Sequence, residues 1–304
     1  MNANSFRLQN VKALDSGTSG NPFRGVARRG YHFRQVRHRT TARRRLIRAL
    51  AAMLRGKNII VTGAGSGIGR KSAEAFARAG AQVVVADLNE PAAADTAASI
   101  RSANGAAVAY RCNVAVEDEV AAMVAFTVAQ YGRLDGAFNN AGIEMHNKPV
   151  HELTAADWRA VIDVDLTGVF FCIKHEFLAM QSHGRGSIVN AASTSGLRGH
   201  VNSSEYVAAK HGVVGLSKAA AIDGGALGIR VNAVCPGLIL TPMVQDRLMS
   251  DPAFSNALED LRKRHIIGRF GETDEVANAV MWLLSDLSSF TTGTAMIVDG
   301  GYAI

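Results

Sequence analysis

Cysteine is scarce. The chain of 304 residues holds three, Cys112, Cys172 and Cys235. None forms a C-x-x-C pair, which excludes a disulfide scaffold and a zinc ribbon and points to a reducing, cytoplasmic setting. Long apolar runs are missing too. Those present, such as 49–54, fall well short of the ~18 residues a membrane span needs, and no membrane partner is expected. Proline is low at 6, and the 30 glycines show no collagen-like period. What is there is an apolar content of 48% against 19% charged residues, enough for a sizeable core and too apolar for general disorder.

Acid is nearly absent from one end. Residues 1–55 carry thirteen Lys and Arg against one acid, Asp15, for a net +12, while the rest carries twenty bases against twenty-five acids, or −5. The overall +7 therefore belongs to an arm. The body is mildly acidic and is not expected to bind nucleic acid. The arm, 1–52, lacks the apolar content to offset the entropy of ordering. It reads as disordered, with a short basic helix over 41–54. It suits an upstream reading frame before a start at Met53, an organellar transit peptide or a segment for an anionic partner.

From residue 57 strands and helices alternate. Strands are expected over 57–62, 81–86, 106–111, 134–139, 186–190, 229–234 and 294–298. Helices are expected over 67–79, 91–103, 117–131, 154–180, 204–227 and 274–285, with short helices in 241–265. The 154–180 helix places Trp158, Val161, Ile162, Val169, Phe170, Ile173 and Phe177 on its apolar side. Strands apolar on both faces, alternating with helices, predict a doubly wound α/β fold on a mostly parallel seven-stranded sheet, with ligands beyond the carboxyl ends of the strands. Residues 53–304 read as one domain.

Three signals carry chemistry. The first is Thr62-Gly63-Ala64-Gly65-Ser66-Gly67-Ile68-Gly69, between a buried strand and a helix. Glycine allows the backbone to approach a pyrophosphate, and the helix start offers free N–H groups. The second is Asp87, closing the second strand. Its carboxylate can accept from ribose hydroxyls and repels a 2′-phosphate, which favours NAD over NADP. Arg70 stands nearby and leaves dual use open. The third is Ser193 with Tyr206 and Lys210. Tyr206 and Lys210 are four apart on one helix face, so the ammonium is expected to lower the phenol's pKa from its usual ~10. Ser193 can donate to a substrate oxygen, completing a proton-transfer device.

These elements together resemble the short-chain dehydrogenase/reductase family: TGAGSGIG at 62–69, NNAG at 139–142, Ser193, YVAAK at 206–210, PGLILTPM at 236–243 and DGGY at 299–302. The resemblance covers about 53–304. It implies a Rossmann fold with cofactor contacts from Gly63, Ser66, Gly67, Ile68, Gly69 and Asp87. It also implies Asn113 and Val114 at the adenine and Asn140, Ala141 and Gly142 on the adenosine side. Pro236, Gly237, Ile239 and Thr241 would hold the nicotinamide end, with Tyr206 and Lys210 at its ribose. Asp165, in IDVDLTGVF, departs from the family pattern, which places a catalytic asparagine there. Its charge would stabilise the Lys210 ammonium and offset part of the tyrosine's pKa depression. The long helices imply a homotetramer or homodimer.

The implied activity is NAD(H)-dependent interconversion of a secondary alcohol (a cyclic diol, sugar or similar) and its ketone, without a metal. IGRF at 267–270 and WLLSD at 282–286 look similar to alcohol, cyclic-diol and glucose 1-dehydrogenase-like members. The alternatives are a 3-oxoacyl thioester reductase and a non-catalytic NAD-binding scaffold. His146 and His151 stand in the loop after the fourth strand, where either could face substrate. Met243, Met249 and Phe254 fall in a segment that can cover it.

Overall fold

The computed structural model describes residues 52–245 and 252–304. Residues 1–51 of the arm and Met249 lie outside the described residues, as does the Phe254 side chain, and of the helix expected over 41–54 the described residues 52–54 form a turn. The compact unit Ile47–Ile304 carries every element below.

Strands β1 (Asn58–Thr62), β2 (Gln82–Asp87), β3 (Ala106–Arg111), β4 (Gly136–Asn139), β5 (Gly186–Ala191), β6 (Ile229–Pro236) and β7 (Ala295–Val298) form one sheet in the order β3-β2-β1-β4-β5-β6-β7. All six pairings are parallel. Each strand's alternation divides the core between two faces. Ile59, Val61, Val83 and Val85 join Phe76 of α1 (Gly67–Arg78) and Val280 of α8 (Thr273–Leu284) on one face. Ile60, Val84 and Ile188 join the other. There they meet Val120 of α3 (Glu117–Tyr131), Ile173 of α5 (Gly168–Met180) and Val213 of α6 (Ser204–Gly225). The helix α2 (Glu90–Ser102) links β2 to β3. Strand order reverses between β1 and β4, which opens a crevice at their carboxyl ends.

Two helical expectations change. The 154–180 segment is not one α-helix. It is α4 (Ala155–Ile162), a π turn at Asp163–Thr167, then α5. Thr154 caps α4 through a reciprocal capping box with Asp157. The π turn admits an extra residue, and its Asp165 is fully buried, held from two sides as described below. Of the expected apolar side, Val161, Val169 and Ile173 are buried, Ile162 and Phe177 half-buried, and Trp158 and Phe170 exposed. The 241–265 segment holds a thirteen-residue helix, α7 (Pro252–Arg264), instead of short helices alone. Among the described residues no helix is long and apolar enough to cross a membrane.

Candidate active site

The crevice is an open cleft of about 730 Å³ running along the strand ends. The glycine turn forms one end. Gly63 and Gly67 have φ of +61° and +52°, a region costly for residues with a Cβ. Thr62 Oγ1 accepts from the backbone N–H of Asn140 (3.0 Å) and Ala141 (3.1 Å), and Asn140 Nδ2 donates to the Thr62 carbonyl at 3.0 Å. The turn is thus tied to the end of β4. Ser66, the N-cap of α1, makes no side-chain capping bond, and the first turn carries no acid. Ser66, Gly67 and Ile68 line the cleft, so the free N–H groups of this helix end are open to an anion.

Asp87 sits beside the turn. Its Oδ2 accepts from Gly65 N at 2.8 Å and its Oδ1 from Asn89 N at 2.9 Å. Arg70 Nε donates to Glu74 Oε1 at 3.2 Å, so its charge is already engaged.

The far wall carries Ser193, Tyr206 and Lys210. Ser193 follows β5, and its Oγ accepts from Ser195 N at 3.1 Å. Lys210 is 4% exposed. Its Nζ donates to the Ala191 carbonyl (3.1 Å), stands 3.0 Å from Asp165 Oδ2 and lies 5.3 Å from the centre of the Tyr206 ring. The other oxygen of Asp165 accepts from Ile143 N at 2.8 Å. Asp165 therefore joins Lys210 to the loop after β4.

The electrostatics correct one expectation. The Tyr206 phenol is raised above its usual value, not lowered. Burial is the largest cause. Lys210 and a hydrogen bond with Ser193 pull it down, while Asp165 and Glu144 push it up. The ring keeps some surface open to the cleft, so solvent there offsets part of the burial penalty. Burial acts to lower Lys210, but the charges of Asp165 and Tyr206 outweigh it and hold the ammonium above its ordinary value. The charge of Asp165 offsets the lysine's pull on the phenol, as expected from its position in the chain.

Of the residues singled out above, Gly63, Ser66, Gly67, Ile68, Asp87, Asn113, Val114, Asn140, Ala141 and Gly142 line this cleft. So do Asp165, Ser193, Tyr206, Lys210, Pro236, Gly237, Ile239 and Thr241. Gly69 does not. A Cβ there would collide with the Gly63 carbonyl, so Gly69 buttresses the turn from behind. Asn139 is also behind the cleft, donating to Glu176 Oε2 at 3.0 Å and to Asn190 Oδ1 at 2.9 Å. Burial pushes the Glu176 carboxyl up to about 8.

Met243 lines the cleft, whereas His146 and His151 do not. His151 is exposed near Glu152. Sequence reasoning missed Glu144, Met145, Asn147, Ser195, His200 and Tyr302, which also line the cleft. Tyr302 arrives from the carboxyl end and stacks on His265 at 4.8 Å. The DGGY signal pointed to it without assigning it a place. Among the described residues no group of three His, Cys, Asp or Glu is arranged to hold a metal ion.

A doubly wound parallel sheet with a glycine turn after β1 and a Ser–Tyr–Lys wall beyond β5 defines a Rossmann-type oxidoreductase scaffold. The chain belongs to the short-chain dehydrogenase/reductase family. The family model described as "Enoyl-(Acyl carrier protein) reductase" matches residues 63–303. A 2,5-dichloro-2,5-cyclohexadiene-1,4-diol dehydrogenase of Sphingobium indicum is 47% identical over 250 residues, 82% of this chain and 98% of that protein. A cyclohexanol dehydrogenase of an Acinetobacter species is 45% identical, covering 81% and 94% of the two chains. The crystal structure of a levodione reductase superposes with a TM-score of 0.79 at 37% identity, covering 82% and 98%. The chain is thus an enzyme of a family whose dehydrogenases generally use NAD(H) or NADP(H).

Proposed function

We propose that the chain is an NAD(H)-dependent dehydrogenase that interconverts a ring-borne secondary alcohol and its ketone. One observation carries this reading: Ser193, Tyr206 and Lys210 meet at one wall of a cleft whose other end holds the glycine turn and Asp87. The named activities of two relatives, on a cyclohexadienediol and on cyclohexanol, support the ring substrate.

The residues present fit a dinucleotide. Gly63, Ser66, Gly67 and Ile68 offer backbone N–H groups to a pyrophosphate, and Asp87 suits free ribose hydroxyls. Asn113 and Val114 would take the adenine, with Asn140, Ala141 and Gly142 on the adenosine side. Pro236, Gly237, Ile239 and Thr241 would hold the nicotinamide end, and Tyr206 and Lys210 its ribose. When bound, the nicotinamide accepts or returns the carbinol hydride.

In oxidation, Tyr206 Oη takes the hydroxyl proton while Ser193 orients the oxygen and the Lys210 ammonium stabilises the phenolate. In reduction the raised phenol is already protonated and donates. The sign follows from Tyr206. Because its pKa lies above the ordinary value, oxidation should gain with rising pH until the phenolate is fully formed. A 3-oxoacyl thioester substrate fits less well, because Asp87 disfavours the phosphorylated cofactor those reductases mostly use.

Incubating the full chain with NAD and a panel of cyclic secondary alcohols and diols, read as NADH absorbance, tests the proposal. Turnover supports it. Nucleotide binding without turnover across the panel would favour a binding scaffold.

Asp165→Asn isolates the charge beside Lys210. Asn keeps an acceptor for Ile143 N but loses the charge that pushes the Tyr206 phenol up. The pH at which oxidation rises should move down. An unchanged pH–rate curve would show that Asp165 does not act on Tyr206.

Two further proposals concern organisation. We place the catalytic domain at 53–304 and the arm, 1–52, outside it. A chain starting at Met53 keeps the buried Leu54, whose N–H donates to the Ala79 carbonyl at 3.0 Å. It should turn over within about twofold of the full chain; loss of folding would make the arm structural. Trp158 (41% exposed), Phe170 (44%), Leu178 (55%) and Ile222 (81%) leave apolar surface on α4, α5 and α6. A homotetramer or homodimer is the expected mass in solution, and a monomer at micromolar concentration would contradict it. The three cysteines are free and buried, which suits the cytoplasm as the proposed compartment.

A further inference from the structure

Glu205, the residue before Tyr206, is fully buried in the first turn of α6. It is absent from the cleft lining. One of its oxygens, Oε1, accepts from the backbone N–H of His146 at 2.8 Å and lies 3.4 Å from His146 Nδ1. The other oxygen, Oε2, is buried without a hydrogen-bond partner. A buried carboxyl group with an unpaired oxygen costs stability, so packing alone does not account for it.

His146 belongs to the loop between β4 and α4. Its Nε2 lies 3.6 Å from Asp157 Oδ1, and Asp157 Oδ2 accepts from Lys148 Nζ at 2.8 Å. Lys148 also forms a backbone bridge with Ser203, two residues before Glu205. The loop turns away from the cleft at two places. Glu144, Met145 and Asn147 line the cleft, while His146 and Lys148 pin the loop to α4 and the start of α6. Between the two pins, Asn147 takes a left-handed φ of +55°, a conformation that local contacts must hold.

We propose that Glu205 is a positioning residue that latches the substrate-side loop, 143–149, to the helix start carrying Tyr206. Glu205 fixes the cleft-facing side chains of the loop relative to the phenol. It therefore sets how tightly a ring alcohol is held without entering the proton transfer. The latch rests on the reading of Tyr206 as the proton-transferring group.

The test uses the full chain with Glu205→Ala, Glu205→Gln and His146→Ala. Glu205→Ala removes both bonds to His146. It should raise KM for a ring alcohol about tenfold, with kcat within about threefold and NAD affinity within about twofold. Glu205→Gln keeps an acceptor for His146 N and should restore KM to within about threefold, with no loss of Tm. His146→Ala keeps the backbone bond and should raise KM about threefold. Amide hydrogen exchange over 143–149 should quicken in Glu205→Ala while 63–69 stays unchanged. Quickened exchange confined to 143–149, beside a complete lack of ring-alcohol turnover by the unmodified chain, would keep the latch and refute the substrate reading. An unchanged alcohol KM in Glu205→Ala, or a parallel loss of NAD affinity, overturns the latch. If Glu205→Ala does not fold, an unchanged KM in His146→Ala overturns it.

Discussion

Tyr206→Phe should lower kcat for alcohol oxidation by at least ~10²-fold while NAD binding is retained. The substitution keeps the ring beside Lys210 and removes the oxygen proposed to take the hydroxyl proton. Lys210 cannot replace it. Asp165, 3.0 Å from its Nζ and left in place by the substitution, favours the ammonium. Ser193 remains as an orienting donor and accounts for whatever activity persists. The raised phenol adds a second signature. The unmodified enzyme should lose oxidation rate as pH falls below the phenol's titration, and the Phe variant should lose that limb. Near-normal turnover with the limb intact would place the proton transfer elsewhere.

The second large effect concerns cofactor choice. NAD should exceed NADP in kcat/KM by ~10²-fold, and Asp87→Ser should narrow the gap by at least about tenfold. Asp87 is fixed at the mouth of the glycine turn by the N–H groups of Gly65 and Asn89. A Cβ built on Gly65 would stand 2.9 Å from Oδ2, so carboxylate and turn approach closely. Two unit charges ~4 Å apart near a protein surface interact by about 4 kcal/mol, and solvent screening reduces this to the expected factor. Arg70 is the nearby cation that a 2′-phosphate would need, and it is paired with Glu74. A preference for NADP in the unmodified protein would show that the phosphate finds a cation this account does not provide.

Much of the cleft was legible because its parts are local. A buried strand followed by a glycine turn needs no tertiary knowledge, and the four-residue spacing of Tyr206 and Lys210 places both on one helix face. What escaped depends on contacts across the fold. Apolar spacing runs smoothly through 154–180, and nothing in it marks a π turn; the turn shows only in the buried carboxylate of Asp165 meeting Lys210. Gly69 reads like its neighbours in the motif, yet it packs behind Gly63, because only the folded turn reveals which glycines face the cleft. The direction of the Tyr206 shift was misjudged because an adjacent ammonium is visible in the chain and burial is not. Glu205 sits beside Tyr206 in the chain, but its partner His146 lies 59 positions away. Which of residues 143–149 face the cleft follows from the path of the loop.

Hydride is proposed to leave a ring carbinol carbon for NAD as Tyr206 takes the hydroxyl proton. Cyclohexanol deuterated at the carbinol carbon, incubated with NAD and the full-length protein, tests it most directly. The expected product is NADH carrying one deuterium at the nicotinamide C4, formed more slowly than from the undeuterated alcohol and nearly abolished in Tyr206→Phe. NADH that carries no deuterium, or equal rates of formation with and without Tyr206, would contradict it.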